Sequence, residues 1–272
     1  MSFEDSFQRP GGERLPHSPV ETVLQTRESE SSDRLKGGGN KSEFHQLKDD
    51  GKIIFKPHSG EDPKLRDYGE FYKRERASYL VDRVLDLDII PPTVIRELDG
   101  EVGSAQEFVE DPVVVGDLFG EDEDDRTFRD TEFQEQAIRL WIFDYLIWNS
   151  DRHWGNALVK NNKLYAIDNG CSFGICDPVY LDTYYDTDIP EALRLHFLER
   201  LHNEALLEIS TELLRELLSE EEVEAFRYRW NNLKNMLSTS IRIFDREQLR
   251  YSEKYNAEGE DEPEESDWRW IG

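Results

Sequence analysis

The chain has 272 residues, of which 60 are acidic and 33 are basic, so its formal net charge at pH 7 is -27. A field of this sign repels nucleic acid and anionic membrane surfaces, which argues against a general DNA- or RNA-binding protein and against membrane binding. Cys171 and Cys176 are too few for a disulfide framework, and no apolar run approaches the roughly 20 residues that cross a bilayer, so we expect a cytoplasmic protein with reduced thiols.

The two ends of the chain are polar and show no sustained apolar period. We predict a flexible N-terminal arm at 1–34, where Ser, Glu, Arg, Gly and Pro dominate, and an acidic C-terminal tail at 251–272. Between them we expect a first lobe at 35–110 and a second lobe at 111–250.

The first lobe is predicted to contain two hairpins and one helix. Asp-Gly pairs at 50–51 and 99–100 separate runs rich in apolar residues, which is typical of a hairpin. Apolar residues recur at helical spacing in 70–87, which indicates an amphipathic helix. The predicted strands are 43–47, 52–56, 93–98 and 104–109.

The second lobe is predicted to be mostly helical. An acidic connector at 111–130 leads to a helix with a nearly continuous buried stripe at 131–148. A small hairpin follows at 157–167, and amphipathic helices fill 190–243. Strands with one helix, followed by a helical block with one hairpin, predict an α+β protein of two lobes, a small β-rich N-lobe and a mainly helical C-lobe.

Three polar residues stand at the ends of predicted apolar elements. Asp151 follows the long buried helix, Asn156 precedes the hairpin, and Asp168 ends the hairpin's second strand. A scaffold holds side chains rigidly at such ends while leaving them at a surface. Because the hairpin turns the chain back, we expect Asp168 to lie near Asn156.

This trio suits phosphoryl transfer. A hydroxyl nucleophile needs a carboxylate to accept its proton, for which Asp151 is the candidate, and magnesium needs hard oxygen ligands, for which Asn156 and Asp168 are the candidates. The Asp-x-x-x-x-Asn spacing matches that of a kinase catalytic loop and is weak alone, but the hairpin and the Asp-x-Gly that follow strengthen it. The alternative is that Asp151 and Asn156 cap a loop and that Asp168 begins a plain turn.

The motifs around this trio resemble the active-site region of phosphatidylinositol 3- and 4-kinase-like proteins, an atypical kinase superfamily that includes HipA-type, actin-fragmin and secreted Golgi kinases. The large-lobe motifs are YLIWNSDRHWGN at 145–156 and AIDNG at 166–170. Three further segments are similar to the family's small-lobe elements in the same order: FKP at 55–57, RERASYL at 74–80 and IPPTV at 90–94. The resemblance covers roughly 37–177.

The resemblance implies an ATP- and Mg²⁺-dependent kinase and assigns further roles. Lys56 would reach the nucleotide phosphates, and Glu75 would pair with it. Glu75 also lies at the margin of the helix's apolar face by spacing, although a surface salt bridge is the alternative. Arg152 would hold Asp151 or a phosphate. The backbone of an interlobe segment would meet adenine, unless this segment is an ordinary edge strand; its residues are Gln106, Glu107, Phe108 and Val109.

Several features depart from the common kinase pattern. The glycine run at 37–39 fails as a Walker A loop because Asn40 stands where glycine must precede lysine, so it is a backbone phosphate contact or a flexible linker. Asn169 follows Asp168 where ordinary protein kinases have Phe, which favours the lipid-kinase-like and HipA-like branches. His153 is either a structural loop residue or a hydrogen bonder in the active site.

Other functions remain open beside an active kinase. The chain could be a catalytically inactive nucleotide-binding scaffold, a metal-dependent hydrolase, or an enzyme that transfers AMP from the same site. An inactive scaffold would have no physical need for all five polar groups of the site, which argues against it. These groups are Lys56, Glu75, Asp151, Asn156 and Asp168. Because the net charge disfavours a phosphoinositide headgroup, we expect the acceptor hydroxyl to belong to a protein or a small molecule.

Overall fold

The computed structural model describes residues 18–35, 41–62, 69–118, 134–174, 187–239 and 242–243. Its helices are α1 (Pro19–Thr26), α2 (Phe71–Leu85), α3 (Gln134–Ile147), α4 (Glu191–Leu201), α5 (Glu204–Arg215) and α6 (Glu220–Thr239). Its strands are β1 (Ser29–Arg34), β2 (Glu43–Leu47), β3 (Lys52–Pro57), β4 (Thr93–Leu98), β5 (Glu101–Glu107), β6 (Val113–Val114), β7 (Ala157–Lys160), β8 (Lys163–Ala166), β9 (Thr187–Asp188) and β10 (Arg242–Ile243).

The small lobe contains an antiparallel sheet of five strands in the order β1-β2-β3-β5-β4. The predicted hairpins are present, with Asp50 and Asp99 in the left-handed conformation that their turns require. Burial alternates along β3, so Ile53 and Phe55 enter the core while Lys56 projects from the opposite face. Strand geometry therefore places Lys56 on the side of the sheet that α2 and the second lobe can reach.

The described part of the predicted N-terminal arm is folded, so the expectation of a flexible arm is wrong for 18–34. α1 begins at a capping box in which Ser18 and Glu21 exchange hydrogen bonds, and β1 pairs with β2. Leu24 of α1 lies in the small-lobe core. Neither element could be predicted from the sequence pattern. α1 has eight residues, too few to show a helical period, and β1 is a polar edge strand without apolar alternation. Residues 1–17 lie outside the described part of the chain.

α2 connects the two lobes. Leu80 and Val84 pack against Ile209 and Leu213 of α5 in a separate apolar cluster. Between these two α2 residues in the sequence, Asp82 is buried, and its two carboxylate oxygens accept the backbone N–H groups of Ile89 and Ile90 at 3.2 and 3.3 Å. The C=O group of Ile89 in turn accepts the Ala166 N–H at 2.8 Å. A chain of hydrogen bonds thus runs from α2 to the last residue of β8.

The large lobe is built around α3, whose residues from Leu140 to Ile147 are all buried. α4, α5 and α6 pack around it, and the fully buried Trp230 donates its indole N–H to Leu201 O at 3.0 Å. The predicted hairpin forms β7 and β8, and β6 extends it to three strands. In the part of the chain that the structure describes, no helix is long and apolar enough to cross a membrane. The architecture confirms the predicted α+β fold.

Replacing Leu24 by Ala tests whether α1 is part of the core. Leu24 is 2% exposed, so truncation should lower the free energy of unfolding by about 2–4 kcal/mol through lost burial and a cavity. Leu35→Ala is the matched control, since Leu35 is 42% exposed and should change stability by less than about 0.5 kcal/mol. Urea denaturation measures both values, and equal small effects would show that α1 does not contribute to folding.

Asp82 should make stability depend on pH. Burial raises the pKa of Asp82 from 3.8 to about 7, although the N–H groups of Ile89 and Ile90 and the ammonium of Lys163 oppose the shift and Asp88 adds to it. The folded protein therefore binds a proton that the unfolded chain has already released, and the free energy of unfolding should fall as pH rises from about 4 to about 7.

Asp82→Asn should remove this part of the pH dependence while keeping an acceptor oxygen for one of the two N–H groups. Urea denaturation of the wild type and the variant across this pH range measures the difference. Asp86→Asn is the control, because Asp86 caps the same helix end as an exposed side chain. If the wild type and Asp82→Asn show parallel pH profiles, the carboxyl group does not titrate in this range.

Candidate active site

Lys56 lies between two carboxylates from different parts of the fold. Its Nζ donates to Oε1 of Glu75 on α2, and to Oδ1 of Asp168 at 2.6 Å. Burial would lower the pKa of Lys56, but the charges of Glu75 and Asp168 outweigh it and hold the pKa above its usual value. The ammonium group therefore stays charged and joins the small lobe to the large lobe.

Glu75 holds both the lysine and the loop that carries Asp168. Its side chain is 3% exposed, which excludes the alternative of a surface salt bridge. While Oε1 accepts from Lys56, Oε2 accepts the backbone N–H of Asn169 at 3.0 Å. One buried carboxylate thus sets the position of Lys56 and of the peptide next to Asp168.

Gly103 lets β5 approach the backbone of Lys56. A Cβ atom at Gly103 would lie 2.3 Å from the carbonyl oxygen of Lys56 and 2.8 Å from the Cα of Pro57. Any side chain there would push β3 away from β5. The absence of a side chain at Gly103 is therefore a condition for the observed position of Lys56.

Asp168 is presented at the start of the loop after β8. Its φ of 56° is in the left-handed region, which Asp tolerates better than most residues, and its side chain is 51% exposed. The ammonium of Lys56 lowers the pKa of Asp168 despite partial burial. An ionised carboxylate with one oxygen bound to Lys56 therefore faces the open side of the site.

Asp151 and Asn156 come from the loop between α3 and β7, near Asp168. Burial raises the pKa of Asp151, and the charge of Asp168 adds to this while His153 opposes it. The amide nitrogen of Asn156 donates to the Asp151 backbone oxygen at 3.3 Å. The Ile167 N–H donates to the Asn156 carbonyl at 3.0 Å, which brings the loop beside the segment that leads to Asp168, as predicted.

Arg152 is a positioning residue, and its predicted place among the catalytic groups is corrected. An arginine has five N–H donors, and each of these meets a protein acceptor here, which leaves no donor for a phosphate. Two donors bind the carboxylate of Asp144 at 2.9 and 3.1 Å. The others bind the backbone oxygens of Asn156 and Ile167 and the side-chain oxygen of Asn169. The guanidinium group thus joins the loop before β7 to the segment after β8.

Sequence reasoning missed Asp144, although a signal was available. Asp144 is the one acidic residue within the apolar run of α3 from Leu140 to Ile147, and a buried carboxylate needs a partner of opposite charge. Burial raises the pKa of Asp144, and the adjacent Arg152 opposes that rise. The pair joins the last turn of α3 to the loop from Asp151 to Asn156.

His153 is a structural loop residue, which was one of the two roles predicted for it. Its Nδ1 accepts the Gly155 N–H at 3.1 Å and caps the single helical turn at Trp154–Asn156. A Cβ at Gly155 would come within 2.7 Å of the imidazole ring, so a side chain there would displace His153 from this capping position.

The interlobe segment Gln106–Val109 follows an interior strand. β5 lies between β3 and β4, so the reading as an ordinary edge strand is wrong. The N–H groups of Glu107 and Phe108 donate to Pro92 O and Lys52 O at 2.8 and 3.0 Å. Val109 is the residue of this segment whose N–H donates to no acceptor among the described residues, so it is the available backbone donor there.

The glycine run at 37–40 and the tail at 251–272 lie outside the described residues, as does most of the acidic connector. Within the described ranges, no group of three or more His, Cys, Asp or Glu side chains could hold a metal ion alone. Asp168 and Asn156 are hard oxygen donors that fit magnesium chemically, but they would complete a coordination shell only with ligand oxygens.

The family model described as phosphatidylinositol 3- and 4-kinase matches residues 86–242, more than half of the chain. The fold is similar to that of the Golgi casein kinase with Mn/ADP bound, at 17% identity and a TM-score of 0.56 over 79% of this chain and 74% of that one. It is also similar to the Helicobacter pylori proinflammatory kinase CtkA, at 13% identity and a TM-score of 0.53 over 79% of this chain and 94% of that one. No curated protein matches the chain. The likeness confirms the predicted two-lobed kinase-like fold.

Asp144→Asn should destabilise the protein strongly, because it leaves the buried Arg152 without its counter-charge. We expect a loss of about 3–5 kcal/mol in the free energy of unfolding, measured by urea denaturation. Glu135→Gln on the same helix is the control, since Glu135 pairs with Arg139 at 3.5 Å on an exposed face and should cost less than about 0.5 kcal/mol. A small loss in Asp144→Asn would contradict the role assigned to the pair.

Proposed function

The chain belongs to the phosphatidylinositol 3- and 4-kinase family, and from that premise we propose that it transfers the γ-phosphoryl group of ATP to a hydroxyl group on a protein or a small molecule. The observation that carries the proposal is the position of Lys56 between Glu75 and Asp168. A buried glutamate that fixes a lysine next to an ionised aspartate is the arrangement that phosphoryl transfer by kinases needs.

Lys56 supplies a charge for the nucleotide phosphates. Glu75 keeps the ammonium group oriented, and Asp168 occupies part of its donor capacity until a phosphate oxygen competes for it. At the other end of the nucleotide, Val109 offers a backbone N–H to the adenine ring. Gln106, Glu107 and Phe108 support this contact by holding the segment between β3 and β4.

Asn156 and Asp168 are the proposed magnesium ligands. Both side chains carry hard oxygen atoms, and Arg152 joins the two segments on which they lie, the loop before β7 and the segment after β8. A bound magnesium ion would neutralise charge that develops on the phosphates during transfer. The Mn/ADP of the Golgi casein kinase structure supports the use of a nucleotide and a divalent ion in this fold.

Asp151 is the proposed base for the acceptor hydroxyl. It is partly buried and faces Asp168, and both features raise its pKa, which makes the carboxylate a better proton acceptor than an exposed one. Its neighbours hold the loop rather than the carboxylate: the Asp151 N–H donates to the side-chain oxygen of Asn149 at 3.0 Å. The carboxylate is therefore left for the substrate.

The net charge of -27 supports an acceptor other than an anionic lipid, because a surface of that sign repels membranes that carry phosphoinositides. A protein or small-molecule hydroxyl is therefore the proposed acceptor. The same residues would also serve AMP transfer if ATP bound in the reverse orientation, so the experiment must identify the transferred group.

Incubation of the purified protein with Mg-ATP tests the proposal. We expect ATP turnover and, by mass spectrometry of the protein, a mass gain of one phosphate if the chain phosphorylates itself. Asp151→Asn should lower kcat by about 10²–10⁴-fold, because it removes the base. Asp168→Asn should abolish metal-dependent turnover.

Asp99→Asn is the matched control, since Asp99 lies in the turn between β4 and β5, where Asn is equally suited to the left-handed conformation. Its turnover should equal that of the wild type. A mass gain of one AMP would refute simple kinase chemistry, and ATP binding without turnover in the wild type would indicate a scaffold instead of an enzyme.

A further inference from the structure

Glu21 of α1 is a completely buried carboxylate in the segment that sequence analysis assigned to a flexible arm. Its side chain is 0% exposed. Oε1 accepts from Arg76 at 2.7 Å, and Oε2 accepts from Arg83 at 2.6 Å and from the Ser18 backbone N–H at 2.9 Å. The two arginines lower the pKa of Glu21 although burial alone would raise it, so the group is an ion with these three hydrogen-bond partners from α2 and the helix cap.

Both arginines belong to the helix that carries Glu75. Helical geometry places Arg76, Tyr79 and Arg83 on one face, because they are three and seven residues apart. The two guanidinium groups lie over the Tyr79 ring at 5.4 and 5.9 Å from its centre, so the three side chains form one cluster on this face of α2. Glu75 lies one residue before Arg76, about 100° around the helix axis.

Arg76 fixes the rotation of α2 about its axis and its position along that axis. Besides its bond to Glu21, it donates to the Thr93 backbone oxygen of β4. α1 is itself fixed to the same strand, since Arg96 of β4 donates to the backbone oxygens of Leu24 and Arg27. Glu21 and β4 therefore hold Arg76 from two sides, and a turn of α2 that moved Glu75 away from Lys56 would have to break these contacts.

We infer that Glu21 is a positioning residue for the proposed phosphoryl transfer: through Arg76 it orients α2 so that Glu75 meets both Lys56 and the Asn169 backbone. This inference rests on the proposed function for its kinetic consequence. Its structural consequence, the bond from Asn169 N–H to Glu75 at 3.0 Å, is independent of any activity.

The test compares Glu21→Gln with Arg83→Gln. Glu21→Gln leaves the buried Arg76 without its counter-charge, so α2 should shift. We expect the Asn169 amide to exchange with solvent deuterium roughly tenfold faster and kcat for Mg-ATP turnover to fall by about tenfold, since a hydrogen bond to a charged group is lost. Arg83→Gln loosens α1 to a similar degree but leaves Arg76 paired, so both values should stay close to the wild type.

Two further variants complete the experiment. Glu28→Gln is the matched control, because Glu28 pairs with Lys48 on the surface, and it should behave as the wild type. Arg76→Gln should reproduce Glu21→Gln, and the double variant of Glu21 and Arg76 should be no worse than either single variant, because both substitutions remove the same hydrogen bond. This pair keeps the test valid if Glu21→Gln does not fold.

Equal Asn169 exchange in Glu21→Gln and Arg83→Gln, in proportion to their lost thermal stability, would show that Glu21 only stabilises the fold and would overturn the inference. Unchanged exchange and kcat in a folded Glu21→Gln would also overturn it. If the wild type does not turn over Mg-ATP, the proposed function fails, while the exchange comparison still decides whether Glu21 positions α2.

Discussion

The site depends on the bridge that the buried carboxylate of Glu75 makes between Lys56 and the backbone of Asn169. A buried carboxylate is stable only when both of its oxygens have partners. A half-formed bridge would therefore carry a high cost in free energy. Its partners come from a strand of the small lobe and from the loop after β8 of the large lobe. The contact between the two lobes at this site and the position of the loop that carries Asp168 therefore both depend on Glu75.

Several other contacts of α2 stabilise the position of Glu75. Apolar contacts of Leu80 and Val84 fix α2 to α5, and Asp82 fixes its end to the backbone that meets β8. Arg74, the residue before Glu75, donates to Glu222 at the start of α6 at 2.6 Å. A helix that contacts the small-lobe sheet, α5 and α6 at once has few directions in which it can move without breaking buried contacts.

The sequence predicted much of this because the informative signals were local. The Asp-Gly turn between two runs rich in apolar residues located the β3 hairpin, and therefore Lys56 at a strand end. Helical spacing located α2 and placed Glu75 at its inner margin. The Asp-x-x-x-x-Asn spacing and the following hairpin indicated the loop from Asp151 to Asn156, because a short hairpin leaves little choice for where Asp168 can lie.

What the sequence did not predict involves partners that are distant along the chain. Glu21 lies 55 residues from Arg76 and looks like an ordinary polar residue in a polar segment, because its burial results from tertiary packing alone. The expectation that Arg152 holds Asp151 or a phosphate failed for a similar reason, since the acceptors that use all its donors lie on three separate elements. Charge-bearing residues are thus the hardest to assign from sequence, since their role depends on the final partner.

The distribution of buried charge explains why the site can be rigid although it is highly polar. The ions that point into the structure are compensated in groups: Glu21 with two arginines, Asp144 with Arg152, and Glu75 with Lys56. Each group joins at least two elements, so each carries orientation as well as charge neutrality. Asp168 and Asp151 differ from these ions because they keep a face toward solvent, and the charge of Asp168 raises the pKa of Asp151. The buried ions are compensated and stabilise the structure, whereas Asp168 and Asp151 remain partly exposed. This division allows so acidic a chain to place two negative groups near each other in one site.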